Sequence, residues 1–124
     1  MVAGKILVID DDASTLTGIQ RLLGAAGLPS AGFASAEELL ASAACEDAAC
    51  VVGDMKLTGM SGLELLAELR SRDVKAPFIL ITAHDSPRIR AEALARGAGY
   101  LAKPFLGTEL LDAIEAATEG SKRP

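Results

Sequence analysis

Five short apolar runs, each followed by a stretch of helical spacing, limit what this chain can fold into. Lys5 to Ile9, Pro29 to Phe33, Ala49 to Asp54, Pro77 to Ile81 and Tyr100 to Ala102 read as strands. The second is the weakest, and PFILI at 77–81 is the clearest. From Ser14 the apolar residues fall at Leu16, Ile19, Leu22, Leu23 and Ala26, the spacing of a helix that stops at Gly27. Ser35-Ala-Glu-Glu38 has the form of a capping box and opens a short helix to about Ala43. From Gly62 to Arg72, Leu63, Leu66 and Leu69 share one helical face, with Glu64, Glu68 and Arg70 turned away. Pro87 suits the first turn of a helix that Gly97 ends. Thr108 starts the last helix, with Leu110, Ile114 and Ala117 facing in. Such β-α alternation with short connections predicts a parallel sheet covered by helices on both faces, because each crossover is right-handed.

A chain of 124 residues suits one core, and half of its residues are hydrophobic. Aromatic residues make up only 3%, so the core is aliphatic. Residues 1–119 are expected to form one domain. Gly120-Ser121-Lys122-Arg123-Pro124 reads as a flexible tail or the start of a linker. The formal charge of −5 argues against nucleic-acid binding, since phosphate repels it. No apolar run is long enough to span a bilayer. MVAGKILVIDDD is strand-like and meets acids at once, which does not fit a signal peptide. Cys45 and Cys50 form no CxxC pair, and the single histidine leaves no zinc set. Free thiols in a reducing cytoplasm are the expectation.

In a doubly wound sheet, ligands bind outside the carboxyl ends of the strands. That edge carries Asp10 and Asp11 after the first strand and Asp54 after the third. It also carries Thr82 after the fourth and Lys103 after the fifth. Each has an ordinary alternative. Asp10 to Asp12 can cap the next helix, and for Asp12 that reading is preferred. Asp54 can be a loop carboxylate, Thr82 a strand-end hydroxyl and Lys103 a solvated lysine. Their combination at four strand ends is what argues for a site. Three neighbouring carboxylates repel one another unless a cation lies between them, and a hard, oxygen-seeking ion such as Mg²⁺ fits. With a phosphoryl group on Asp54, Lys103 opposes its charge and Thr82 offers a short-reach hydroxyl.

The stretches KILVIDDD, DMKLTGMSGLELL, FILITAHD and GAGYLAKPF together resemble the response-regulator receiver domain of two-component signalling, over nearly the whole chain. The resemblance implies a flavodoxin-like α/β fold, a five-stranded parallel sheet of order 2-1-3-4-5 with five helices. It implies that Asp10 and Asp11 are the acidic pair, Asp54 the phosphoacceptor, Thr82 the switch hydroxyl, Tyr100 the switch aromatic and Lys103 the family's lysine. Mg²⁺ (or Mn²⁺) would be bound by Asp11, Asp54 and the backbone carbonyl of Lys56, with Asp10 acting through a water. The family often has a cis bond where Lys103-Pro104 stands here. One departure is Thr58, which occupies a position commonly held by proline. A missing proline loosens the loop slightly. Lys56 and His84 lie at positions that tune phosphate lifetime in the family, though an exposed loop role is equally consistent for Lys56 and preferred for His84. Cys50 reads as packing rather than redox chemistry.

The expected function is therefore Mg²⁺-dependent acceptance of a phosphoryl group from a sensor histidine kinase or phosphotransfer protein. Thr82 and Tyr100 would then re-shape the face formed by the fourth helix, fifth strand and fifth helix. That face would control an output domain or effector protein, with a transcriptional output favoured and a phosphorylation-dependent homodimer allowed. The chain would be a switch rather than an enzyme, cytoplasmic, with no membrane contact and no direct nucleic-acid binding. Two rivals are a small Mg²⁺-dependent phosphatase and a phosphate-independent docking module of the same fold. The short loops argue against a substrate lid, and the full set of site residues argues against a degenerate module.

Overall fold

The computed structural model describes residues 4–122, the last three by backbone alone. Five strands, β1 (Lys5–Ile9), β2 (Ser30–Phe33), β3 (Ala48–Asp54), β4 (Phe78–Thr82) and β5 (Gly99–Ala102), form one sheet. Every pairing is parallel, and the order is β2-β1-β3-β4-β5. Five helices alternate with them: α1 (Ala13–Ala25), α2 (Ala36–Ala41), α3 (Gly62–Ser71), α4 (Pro87–Ala95) and α5 (Gly107–Lys122). The fold is flavodoxin-like α/β, as the sequence implies.

The sheet has a core on each face, and the period-two alternation of strand side chains divides them. Ile6, Val8, Cys50, Val52, Ile79 and Ile81 point to one face and pack with Ile19 and Leu23 of α1 and Leu110 and Ile114 of α5. Leu7, Ile9, Val51, Phe78 and Leu80 point to the other and pack with α2, α3 and α4, mainly through Leu39, Leu63, Leu66, Leu69 and Ala93. Burial on both sides explains why the central strands read as continuous apolar runs rather than alternating ones. Cys50 is fully buried in the first of these cores, and burial pushes its thiol up to about 12. It is a packing residue.

The helix ends follow their local sequence. Asp12 caps α1, accepting from the Ser14 and Thr15 N–H groups. Ser35 caps α2, but Glu38 reaches the N–H of Ala34 rather than that of the cap, so the expected box is displaced by one residue. A complete capping box sits instead at Ser61 and Glu64, opening α3. Three expectations need correction, and one turn has no counterpart in the sequence reading. A 3-10 turn at Ala43–Asp47 follows α2. Arg70 does not simply turn away: its guanidinium donates to the carbonyls of Val74 and Ala76, closing the loop into β4. Thr82 belongs to β4 itself. Helix α5 continues through Gly120 to Lys122, and Arg123 and Pro124 lie outside the described residues. Among the described residues, no helix is long and apolar enough to cross a membrane.

Candidate phosphorylation site

Strands β1 and β3 are neighbours, so their carboxyl ends bring Asp10, Asp11 and Asp54 together although the last is more than forty positions away. Oxygens of the three carboxylates lie within 4.8 Å of one another. Asp10 is 1% exposed and Asp54 8%, whereas Asp11 is exposed. Two glycines allow Asp54 its place. A Cβ on Gly53 would come within 2.9 Å of the Phe78 ring. One on Gly62, the first residue of α3, would lie 2.5 Å from the Asp54 carbonyl oxygen.

Lys103 brings the opposing charge. Its Nζ lies 3.0 Å from Asp54 Oδ2 and 3.3 Å from Asp10 Oδ2. Its peptide bond to Pro104 is cis. Burial alone would lower the Lys103 ammonium pKa; the hydrogen bond and charge of Asp54, then those of Asp10, outweigh it and leave it raised. Asp10 is shifted the other way for an acid: burial raises it, against the Asp12 N–H at 2.9 Å and the Lys103 charge. The second oxygen of Asp54 accepts the Lys56 N–H at 3.3 Å. Three carboxylates with neither thiol nor imidazole among them form a hard oxygen donor set, and it fits a Mg²⁺-type ion.

Thr82 is 2% exposed at the end of β4. Its hydroxyl donates to the His84 carbonyl at 3.3 Å and accepts the His84 N–H at 3.1 Å. Tyr100 is partly buried against the core and is held by three contacts. Its hydroxyl donates to Asp85 Oδ1 at 2.8 Å and accepts the Ser86 N–H at 3.1 Å, and the Arg90 guanidinium lies 4.8 Å above its ring. Lys56 and His84 are exposed loop residues. Beside them, Met55, Leu57, Met60, Thr82 and Ile89 help line an open cavity of about 520 Å³. Two contacts had no signal in the sequence: Asp85 on Tyr100, and the Thr58 hydroxyl on Asp11. The Ser61 capping box did have one, in SGLE at 61–64.

The family model described as the response regulator receiver domain matches residues 6–115. The chain belongs to the response regulator receiver family. This receiver domain is 37% identical to Nodulation protein W of Bradyrhizobium diazoefficiens over 95% of its own length and 52% of that protein's. It is 34% identical to the C4-dicarboxylate transport transcriptional regulatory protein DctD of Rhizobium meliloti, over 94% of its own length and 26% of the other's. The chain thus spans about half of the first of these curated relatives and about a quarter of the second. Among solved structures, the receiver domain of Francisella response regulator 1452 superposes with a TM-score of 0.87 at 28% identity, covering 96% of this chain and 99% of that one. The protein is a receiver domain of a two-component system with an aspartate phosphorylation site, and its acidic pocket faces Lys103.

Proposed function

We propose that Asp54 is the phosphoacceptor and that the donor is a phosphohistidine on a sensor histidine kinase or phosphotransfer protein. The single observation that supports this most is the Lys103 ammonium between Asp54 and Asp10, at the carboxyl end of the sheet. An Asp54 carboxylate oxygen attacks phosphorus and forms a P–O bond. The P–N bond to the donor imidazole breaks, and the ring nitrogen keeps the pair and takes a proton from solvent. Lys103 stays charged and lies against the phosphoryl oxygens. Asp11, Asp54 and the Lys56 carbonyl would hold Mg²⁺ or Mn²⁺, with Asp10 joined through a water. When bound, the ion supplies positive charge against the transferring group.

The new charge then competes for the Thr82 hydroxyl, which leaves its His84 partners. Tyr100 gives up Asp85 and turns inward, and the surface of α4, β5 and α5 changes with it. This is a population shift between two forms. Its readout is a cytoplasmic output domain or effector, and names such as the transcriptional regulatory protein DctD among the curated relatives favour transcriptional control, with a phosphorylation-dependent homodimer as one route. The domain assists its own phosphorylation and dephosphorylation without being an enzyme for others.

The test is incorporation of one phosphoryl group from acetyl phosphate in the presence of Mg²⁺, read by intact mass. Asp54→Asn is expected to abolish the added mass. Label that survives this change sinks the assignment of Asp54, labelling indifferent to Mg²⁺ sinks the metal reading, and multiple turnover of a small phosphoester points to a phosphatase instead.

A further inference from the structure

Each of the three site carboxylates is tied to something. Asp10 has the Asp12 N–H and Lys103, and Asp54 has the Lys56 N–H and Lys103. Asp11 is exposed and lies outside the reach of both, and its tie is a different one. The Thr58 hydroxyl donates to Asp11 Oδ2 at 3.1 Å, from the loop after β3 across to the loop after β1, 47 positions away in sequence. A β-branched residue has few rotamers, so its hydroxyl is a well-aimed donor. An ionised carboxylate has about four lone-pair sites, so one neutral donor leaves room for a cation.

We infer that Thr58 is a positioning residue for divalent-cation binding, its hydroxyl holding the exposed Asp11 carboxylate turned toward Asp10 and Asp54. The inference rests on the reading of Asp11 as a metal ligand. Without the hydroxyl, Asp11 regains its rotamers, and the cation must select one of them on binding. The opposite role, a hydroxyl that competes with the ion for Oδ2, predicts the opposite sign. Positioning is favoured because a carboxylate that ligates a metal is ordinarily hydrogen-bonded in turn, and losing such a partner weakens the metal.

The experiment is a Mn²⁺ titration of the unphosphorylated domain, read by the electron paramagnetic resonance signal of the free ion, with Mg²⁺ as competitor. Thr58→Val keeps the shape and removes the donor. It is expected to weaken Mn²⁺ and Mg²⁺ binding about tenfold, the low end for loss of such a partner. Thr58→Ser restores the donor and is expected to stay within about twofold of wild type on the same grounds. In an Asp11→Asn background Thr58→Val is expected to add nothing, because the pair acts as one unit. Thermal unfolding of the metal-free variants checks that each is folded. Unchanged or tighter binding by Thr58→Val, beside saturable binding by wild type, overturns the role of Thr58 alone. A wild type with no saturable binding overturns the metal reading and this inference together.

Discussion

Lys103 offers one ammonium to two acids, and their burial differs from its own. Asp10 is fully buried as a side chain, while Lys103 keeps about a fifth of its side-chain surface. Burial therefore dominates at Asp10, and its pKa rises. A raised carboxyl means the folded state holds that proton more tightly than the unfolded chain. The buried charge is then a cost above the folded value, and the cost fades as pH falls through it toward the free value of 3.8. Lys103 has the ordinary sign for a paired cation. Its contribution is complete below the free-lysine value of 10.5 and is lost as pH rises through the higher folded one. Asp10→Asn is thus expected to stabilise the metal-free domain at neutral pH, read as a rise in Tm. The gain should shrink in acid. A Tm that falls at pH 7 shows that the ion pair outweighs the desolvation. At this scale the sequence was legible where a residue type ends a strand, as at Asp10, Asp54 and Lys103. It was silent where one side chain meets another across two loops, as Thr58 meets Asp11, because no spacing records that contact.

Helix α4 and strand β5 are coupled in the unphosphorylated form through Tyr100. Its ring lies under Arg90 of α4, and its hydroxyl reaches Asp85, which also lies 3.6 Å from the Arg90 guanidinium. Burial first, then Asp85, raises the Tyr100 pKa, which favours the protonated hydroxyl that donates to Asp85. In the proposed switch, removing the acceptor with Asp85→Ala costs the outward form, the one with Tyr100 on Asp85, about 1 kcal/mol, which multiplies the inward population roughly fivefold. The chain has one tyrosine and no tryptophan, so fluorescence excited where its three phenylalanines do not absorb reports this ring alone. Emission and quenching identical to wild type would show that Asp85 does not hold the outward form. Elements with strong periodicity were readable, among them α1 from its Leu16–Ile19–Leu23 spacing and β4 from PFILI. The turn at Ala43–Asp47 was not, since AACED carries neither period. The inward bend of Arg70 was hidden because its partners are backbone carbonyls.

For the molecule as a whole, the pocket joins the loops after β1 and β3 to the end of β5, so an ion bound there stabilises the entire sheet edge. A ligand at a hundred times its dissociation constant adds about 2.7 kcal/mol, and for a domain of this size that is a rise of about 10 °C in Tm. Mg²⁺ is expected to give it to wild type and not to Asp11→Asn. A melting curve that ignores Mg²⁺ removes the ion from the account. The layered architecture was legible from alternation alone, but the strand order was not, since periodicity says which segments are strands and nothing about which are neighbours. The resemblance supplied it. That order places β5 at the sheet edge, two strands from β3 with Asp54 and three from β1 with Asp10, the acids its Lys103 neutralises. Lys103 is also made after both acids, 49 residues later than Asp54 and 93 later than Asp10. During synthesis the carboxylates emerge first, so a nascent chain holds this sheet edge unneutralised until the end of β5 has been made.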